Sequence, residues 1–180
     1  MDVKFKVTDP AKVEPIVFDI IFAEKVGGGI VKNTAYDLPA GVAIDKSGNP
    51  LKCYEVYEDA ASDATSIKIL KGSGIASGDV IGKGKKGVAS TALDQSGDEY
   101  DVVTVSLGVA VTAGMRLYQA TSASASSATF KYQPAFVLGE SIPANSGDML
   151  VKLVNGANVR KDNIHIADDV LAAMPLITAL

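Results

Sequence analysis

Residues 75–81 read IASGDVI, a phrase of small residues, one glycine and then a strand-like apolar pattern. Glycine adopts positive φ without steric cost, and alternating apolar residues suit the two faces of a strand. Each such phrase therefore predicts a turn that leads into a short strand. The chain contains four copies, with Gly41 in LPAGVAI (38–44), Gly78 in IASGDVI, Gly114 in VTAGMRL (111–117) and Gly147 in PANSGDML (143–150).

The rest of the chain alternates short apolar stretches with turn signals such as DKSGNP at 45–50 and QSGD at 95–98. Many short strands separated by turns are typical of an all-β domain. We predict one mainly β domain, a compact sandwich or barrel-like fold of short antiparallel strands, with its core in residues 33–165. The predicted strands are 42–45, 51–58, 65–70, 79–82, 101–107, 115–119, 128–132, 135–138 and 148–154.

Residues 1–32 differ from this core, and we predict either an extended N-terminal arm or the first strands of the domain. VKFKV at 3–7 alternates as a strand does, and IVFDIIF at 16–22 is a compact apolar strand. Three consecutive glycines at 27–29 then form a flexible joint. An arm would add a strand to a neighbouring subunit through backbone hydrogen bonds. The apolar side chains expected at that contact are Phe18, Ile20 and Phe22.

Residues 166–180 predict a short helix followed by an apolar tail. Asp168 can cap the helix N-terminus, and Pro175 ends the helix. The tail must be buried, either on the chain's own core or against another subunit, because it would otherwise be an exposed apolar patch. The side chains expected at a subunit or capsid contact are Leu171, Met174, Leu176 and Ile177.

Composition argues against nucleic-acid and membrane partners. The net charge is −4 and the pI is about 5.0, whereas a general nucleic-acid binder needs excess lysine and arginine to neutralise phosphates. No run approaches the roughly 20 apolar residues that span a bilayer. Residues 1–8 lack the apolar segment of a signal peptide. We therefore expect the protein to be made in the cytosol and to remain soluble there.

The residues that catalysis or metal binding would need are scarce. His165 is the only histidine and Cys53 the only cysteine, so they cannot form a zinc site or a disulfide within the chain. No G-x-S-x-G elbow accompanies the histidine. The glycine-rich stretch at 72–84 lacks the spacing of a phosphate-binding loop. We predict no metal, no cofactor and no enzymatic activity.

Three stretches resemble phrases of a known family. LPAGVAI at 38–44, KILKGSGIASGDVI at 68–81 and LAAMPLI at 171–177 are similar to the L-x-A-G-T-P-L/I, V-x-K-G-h-x-h-x-V-G-D and L-x-x-h-L-P-x-I phrases, where h is apolar. These phrases are those of head-fibre and capsid-decoration proteins of tailed bacteriophages, particularly phages of Bacteroidota hosts. Val42 and Ala43 stand where that family usually has Thr and Pro.

The resemblance implies a non-enzymatic virion protein on the capsid exterior, made in the host cytoplasm. Its implied partners are the major capsid protein lattice and further copies of itself, as a homo-trimer or homo-dimer; contact with the host surface stays open. The acidic charge suits an outer position, because a surface facing packaged DNA would favour basic residues. Two alternatives remain: a tail, baseplate or surface module that binds a glycan or receptor, and an enzyme on a β scaffold.

Overall fold

The computed structural model describes residues 15–180, so the strand predicted at 3–7 lies outside the described residues. Fourteen strands, one 3-10 turn and one short α-helix make up this part of the chain. The strands are β1 Phe18–Glu24, β2 Gly29–Val31, β3 Ala43–Ile44, β4 Cys53–Glu55, β5 Ser66–Leu70, β6 Val80–Lys83, β7 Lys86–Ala89, β8 Ala92–Asp94, β9 Tyr100–Thr104, β10 Arg116–Gln119, β11 Phe136–Leu138, β12 Met149–Val151, β13 Leu153–Val159 and β14 Ile177–Ala179; the 3-10 turn is Lys161–Asn163 and α1 is Asp168–Leu171.

The strands form four small sheets. The largest has the order β1-β13-β11-β3, and β14 joins β13 as its one parallel neighbour. A second sheet has the order β4-β10-β6-β7, a third β5-β9-β8, and β12 pairs with β2. All other pairings are antiparallel. The prediction of a mainly β fold of short antiparallel strands with a short C-terminal helix is confirmed.

Three apolar clusters hold these sheets together. The first joins β13 to β10, to α1 and to the C-terminal residues, and includes Tyr118, Val154 and Val170. The second packs β5, β6, β9 and β10 around residues such as Ile69. The third packs β3, β11, β12 and β13 around residues such as Leu153. Because β10 and β13 each contribute to two clusters, these two strands connect the sheets.

The four repeated phrases fold as predicted. Gly41, Gly78, Gly114 and Gly147 all have positive φ, between 77° and 91°. In every copy a strand begins two residues after the glycine, at β3, β6, β10 and β12. The positive φ reverses the chain, and the apolar residues that follow then enter a sheet.

Some strand predictions were wrong. Residues 128–132 form no strand and contribute only an isolated bridge between Phe130 and Ala120. The predicted strand 148–154 is two strands, because Lys152 separates β12 from β13 and each pairs with a different sheet. Strands β7 and β8 were not predicted. Their sequences, KGVA and ALD, carry little apolar signal, and pairing with β6 and β9 holds them in place.

Residues 18–24 belong to the chain's own core sheet. β1 pairs antiparallel with β13 along its length, from Phe18 opposite Val159 to Glu24 opposite Val154. β2 follows Gly28, which has a φ of 73°, and pairs with β12. Of the two alternatives for this segment, residues 18–31 therefore form the first strands of the domain.

The C-terminal residues fold back on the same core. Residue Ala167, not Asp168, is the N-cap of α1, and no side chain caps the helix, because Asp168 is already its first helical residue. Met174 and Ile177 are buried in the first apolar cluster, and Leu171 is partly buried against it. β14 pairs with β13, and Leu176 and Leu180 are the exposed large apolar side chains of the tail.

Burial of the tail gives a first prediction. Met174→Ala removes a buried side chain next to β13 and leaves a cavity, so we expect a loss of about 2–4 kcal/mol in the free energy of unfolding. Leu176→Ala truncates an exposed neighbour and should cost no more than about 0.5 kcal/mol. Urea denaturation followed by circular dichroism measures both. Equal, small losses would show that the tail does not pack on the core.

Candidate functional site

Five large apolar side chains on neighbouring elements remain exposed. Ile20 and Phe22 lie on β1, Val26 in the following turn, Ile30 on β2 and Leu150 on β12. Their exposed fractions are 59% for Ile20, 58% for Phe22, 97% for Val26, 57% for Ile30 and 69% for Leu150. We call this set the apolar surface. Exposed apolar residues on neighbouring elements commonly mark a protein–protein contact.

The elements that carry these side chains are tied together. Ile30 is the cross-strand neighbour of Leu150, so the two side chains share one face of the β2–β12 pair. A Cβ at Gly28 would lie 3.6 Å from Cδ1 of Leu150, which places Leu150 beside the turn that carries Val26. Phe22 covers Gly156 of β13, where a side chain would overlap its ring.

Ion pairs lie on the strands that carry the apolar surface, or next to them in the chain. Asp19 on β1 accepts a hydrogen bond from Arg160 at 2.8 Å. Glu24, the last residue of β1, pairs with Lys152 at 2.9 Å. A third pair, Lys32–Asp148 at 3.0 Å, follows β2 and precedes β12. An apolar centre with charged groups at its rim is the usual composition of an interface patch.

The structure separates the predicted contact residues into two groups. Ile20, Phe22 and Leu176 are exposed and available to a partner. Phe18 and Leu171 are partly buried, and Met174 and Ile177 are core residues. Sequence reasoning missed Val26, Ile30 and Leu150, because alternating apolar residues in a strand do not show which face is covered.

A second feature is a cleft of about 530 Å³ where β4 and β5 diverge. The two strands meet at the Val56–Ile69 bridge and then separate, and the loops around Tyr36 and Ile142 form the opposite wall. Apolar side chains such as Leu38 and Leu51 supply much of the lining. The polar residues of the cleft are Tyr36, Asp37, Lys52, Glu55, Lys71, Ser73, Arg116, Ser141 and His165.

The cations that line the cleft are neutralised by the chain's own acids. The Lys52 ammonium lies 3.1 Å from the Asp79 carboxylate, and the Arg116 guanidinium lies 2.7 Å from Glu55. Lys71 pairs in the same way with Asp101, at 3.0 Å. The part of the cleft formed by residues 15–180 therefore offers no unpaired lysine or arginine to an anionic ligand.

Asp37, whose Oδ1 accepts a hydrogen bond from the backbone N–H of Ala144, is the acid of the cleft that no lysine or arginine of residues 15–180 pairs with. The other polar groups outside the ion pairs carry no charge. Burial, and then the nearby Arg116, lower the pKa of His165 below its usual value, although Glu55 acts in the opposite direction. Burial raises the pKa of Cys53 to about 12, so the thiol is protonated and a poor nucleophile at neutral pH. The hydroxyl of Ser73 has no hydrogen-bond partner among residues 15–180. This chemistry suits a ligand with apolar surface better than an anionic one.

Within residues 15–180, no hydrogen bond links the His165 imidazole to a serine or cysteine, and no three His, Cys, Asp or Glu residues are grouped to hold a metal ion. No helix in this part of the chain is long and apolar enough to cross a membrane. Comparisons of the chain with protein-family models, curated proteins and solved structures found no match.

Proposed function

We propose that the chain is a non-enzymatic structural protein on the outer surface of a phage capsid, as a head fibre, decoration protein or auxiliary capsid protein. It binds the lattice of the major capsid protein and associates with further copies of itself. The observation that supports this proposal is the apolar surface, with ion pairs on the same or adjoining elements. A patch of this kind fits a large protein partner, which can cover several elements at once.

The form of the surface suits attachment to a shell. Leu150 and Ile30 lie on a short two-stranded unit, β2–β12, with Val26 in the adjoining turn. Aliphatic side chains on paired backbone can enter an apolar groove with little loss of main-chain freedom. The net charge of −4 agrees with an exterior position, away from packaged DNA.

Cosedimentation tests the proposal. Purified protein is mixed with shells assembled from the major capsid protein of the same genome, and bound protein is measured in the pellet. Leu150→Lys introduces a charge on the apolar surface, and we expect at least tenfold weaker binding because that charge must be desolvated. Leu180→Lys is the matched control, since Leu180 is equally exposed, at 68%, but lies on the tail.

Either of two results would contradict the proposal. The first is that the unaltered protein stays in the supernatant at every concentration. The second is that the Leu150→Lys variant pellets with the shells as well as the unaltered protein does. Circular dichroism spectra that match for both variants would show that neither substitution acts by unfolding the chain.

The cleft favours a second candidate, a module on a tail, baseplate or surface that binds a receptor. Among residues 15–180, Tyr36 is the only Phe, Tyr or Trp in the lining of the cleft. Its ring is already covered by the backbone at Gly74 and by the Lys52 ammonium, 5.5 Å from the ring centre. A sugar ring would find no open aromatic face on Tyr36. Changes of the Ser73 and His165 resonances on addition of a neutral oligosaccharide would favour this candidate over shell binding.

A further inference from the structure

β1 is an outermost strand with an open edge. It pairs with β13 on one side, and no strand within residues 15–180 pairs with its other side. The backbone N–H and C=O groups on that side can therefore form hydrogen bonds with another strand. At seven residues, β1 is as long as any strand in the described part of the chain.

The side chains of β1 divide between the core and the solvent. Ile21 packs against the first apolar cluster, whereas its neighbours Ile20 and Phe22 are exposed. Residues two positions apart lie on the same face of a strand, so Ile20 and Phe22 form one apolar strip beside the open edge. Long apolar edge strands readily pair with another chain.

The acids of β1 do not protect this edge. Unpaired charges on an edge strand commonly prevent pairing between chains, because each charged side chain would approach a like charge or be desolvated. Asp19 is already bound to Arg160 and Glu24 to Lys152. The strand therefore presents an apolar centre with neutralised ends, which suits a second copy of the same strand.

We propose that β1 pairs antiparallel with β1 of a second copy, around a two-fold axis at Ile21. This register places Ile20 opposite the partner's Phe22 and Asp19 opposite the partner's Ala23, so that no acid faces an acid. The pairing of β1 with β13 is irregular at three points, and such irregularities bend a strand. The inference rests on the self-association in the proposed function and specifies its surface and symmetry.

A two-fold pairing also limits the size of the assembly. Each copy has one such edge, and the same edge is used on both sides of the contact. Once two copies have paired, no β1 edge remains open, so association through this strand stops at the dimer. The inference therefore selects the dimer from the two states that the sequence left open.

Light scattering over a dilution series tests this pairing. The unaltered chain should show a mass of twice 18.6 kDa. Ile20→Lys and Phe22→Glu should each weaken the dimer at least tenfold. An equimolar mixture of the two variants should dimerise again, because the introduced lysine faces the introduced glutamate while the other Ile20–Phe22 contact is intact. Leu180→Lys is the control, since this exposed residue lies outside both β1 and the apolar surface.

A monomer at all concentrations, a trimer, a dimer that survives Ile20→Lys, or a mixture that fails to dimerise would each overturn the inference. A monomer would mean that another part of the chain, or a different partner, covers the edge. The urea midpoint of each variant shows whether a weaker dimer results from unfolding of the chain. A monomer that still binds shells would overturn the edge pairing alone, and a dimer that does not bind shells would overturn shell binding alone.

Discussion

Asp79→Ala should lower the free energy of unfolding by about 3 kcal/mol or more. The Asp79 carboxylate accepts hydrogen bonds from Lys52 at 3.1 Å, Tyr54 at 2.9 Å, Gln119 at 2.8 Å and the backbone N–H of Ala76 at 3.0 Å. Removing it leaves a mostly buried ammonium and a buried phenol without their acceptor, and uncompensated groups of this kind are costly. Urea denaturation at pH 7 measures the loss.

The stabilisation of the folded chain by the Asp79 carboxylate should depend on pH. Burial acts to raise the pKa of Asp79, but hydrogen bonds from Lys52, Tyr54 and the N–H of Ala76 outweigh burial and hold it below its usual value. The folded chain therefore binds the proton less tightly than the unfolded chain, whose aspartate has a pKa of about 3.9. The stabilisation is complete above that pKa and is lost as the pH falls through the lower, folded value. An equal effect of Asp79→Ala at pH 7 and in strong acid would contradict this account.

Gly48→Ala should lower the free energy of unfolding by as much as Asp79→Ala, for a different physical reason. Gly48 has a φ of 86°, and a Cβ there would overlap the backbone carbonyl oxygen of Ile30. The substitution combines left-handed strain with a clash that no side-chain rotation relieves, so we expect a loss of more than about 3 kcal/mol.

Gly72→Ala is the matched control for this substitution. Its φ is 85°, but a Cβ at Gly72 would meet no atom within 4 Å, so only strain of about 1–2 kcal/mol is expected. Thermal unfolding compares the two variants. Equal losses would show that strain alone, and not contact with Ile30, governs the cost at Gly48.

Local signals in the sequence predict the turns and the strands that follow them. Gly78 adopts the left-handed conformation that its phrase predicts, and β6 begins two residues later. These features depend on backbone sterics within a few residues. Strand β7 is different: Gly87 within it packs against Ala128 and the backbone at Ser122, and these contacts come from distant parts of the chain. No local pattern predicts them.

The candidate site, like the fold, can be predicted from the sequence only in part. The apolar character of Ile20 and Phe22 is visible in the sequence, and both are exposed. Met174 and Ile177 are also apolar, but they are buried because β14 pairs with β13. No local sequence pattern predicts that pairing. The cleft could not be predicted at all, since its walls come from seven separate segments of the chain.

Immunogold labelling of intact, gradient-purified virions tests the central proposal most directly. Antibodies raised against the purified protein are applied to particles of the phage whose genome encodes it, and the label is located by electron microscopy. We predict gold on the outer surface of the heads, at repeated positions around each capsid. Label confined to tails or baseplates, or the absence of the protein from purified particles, would contradict the proposal.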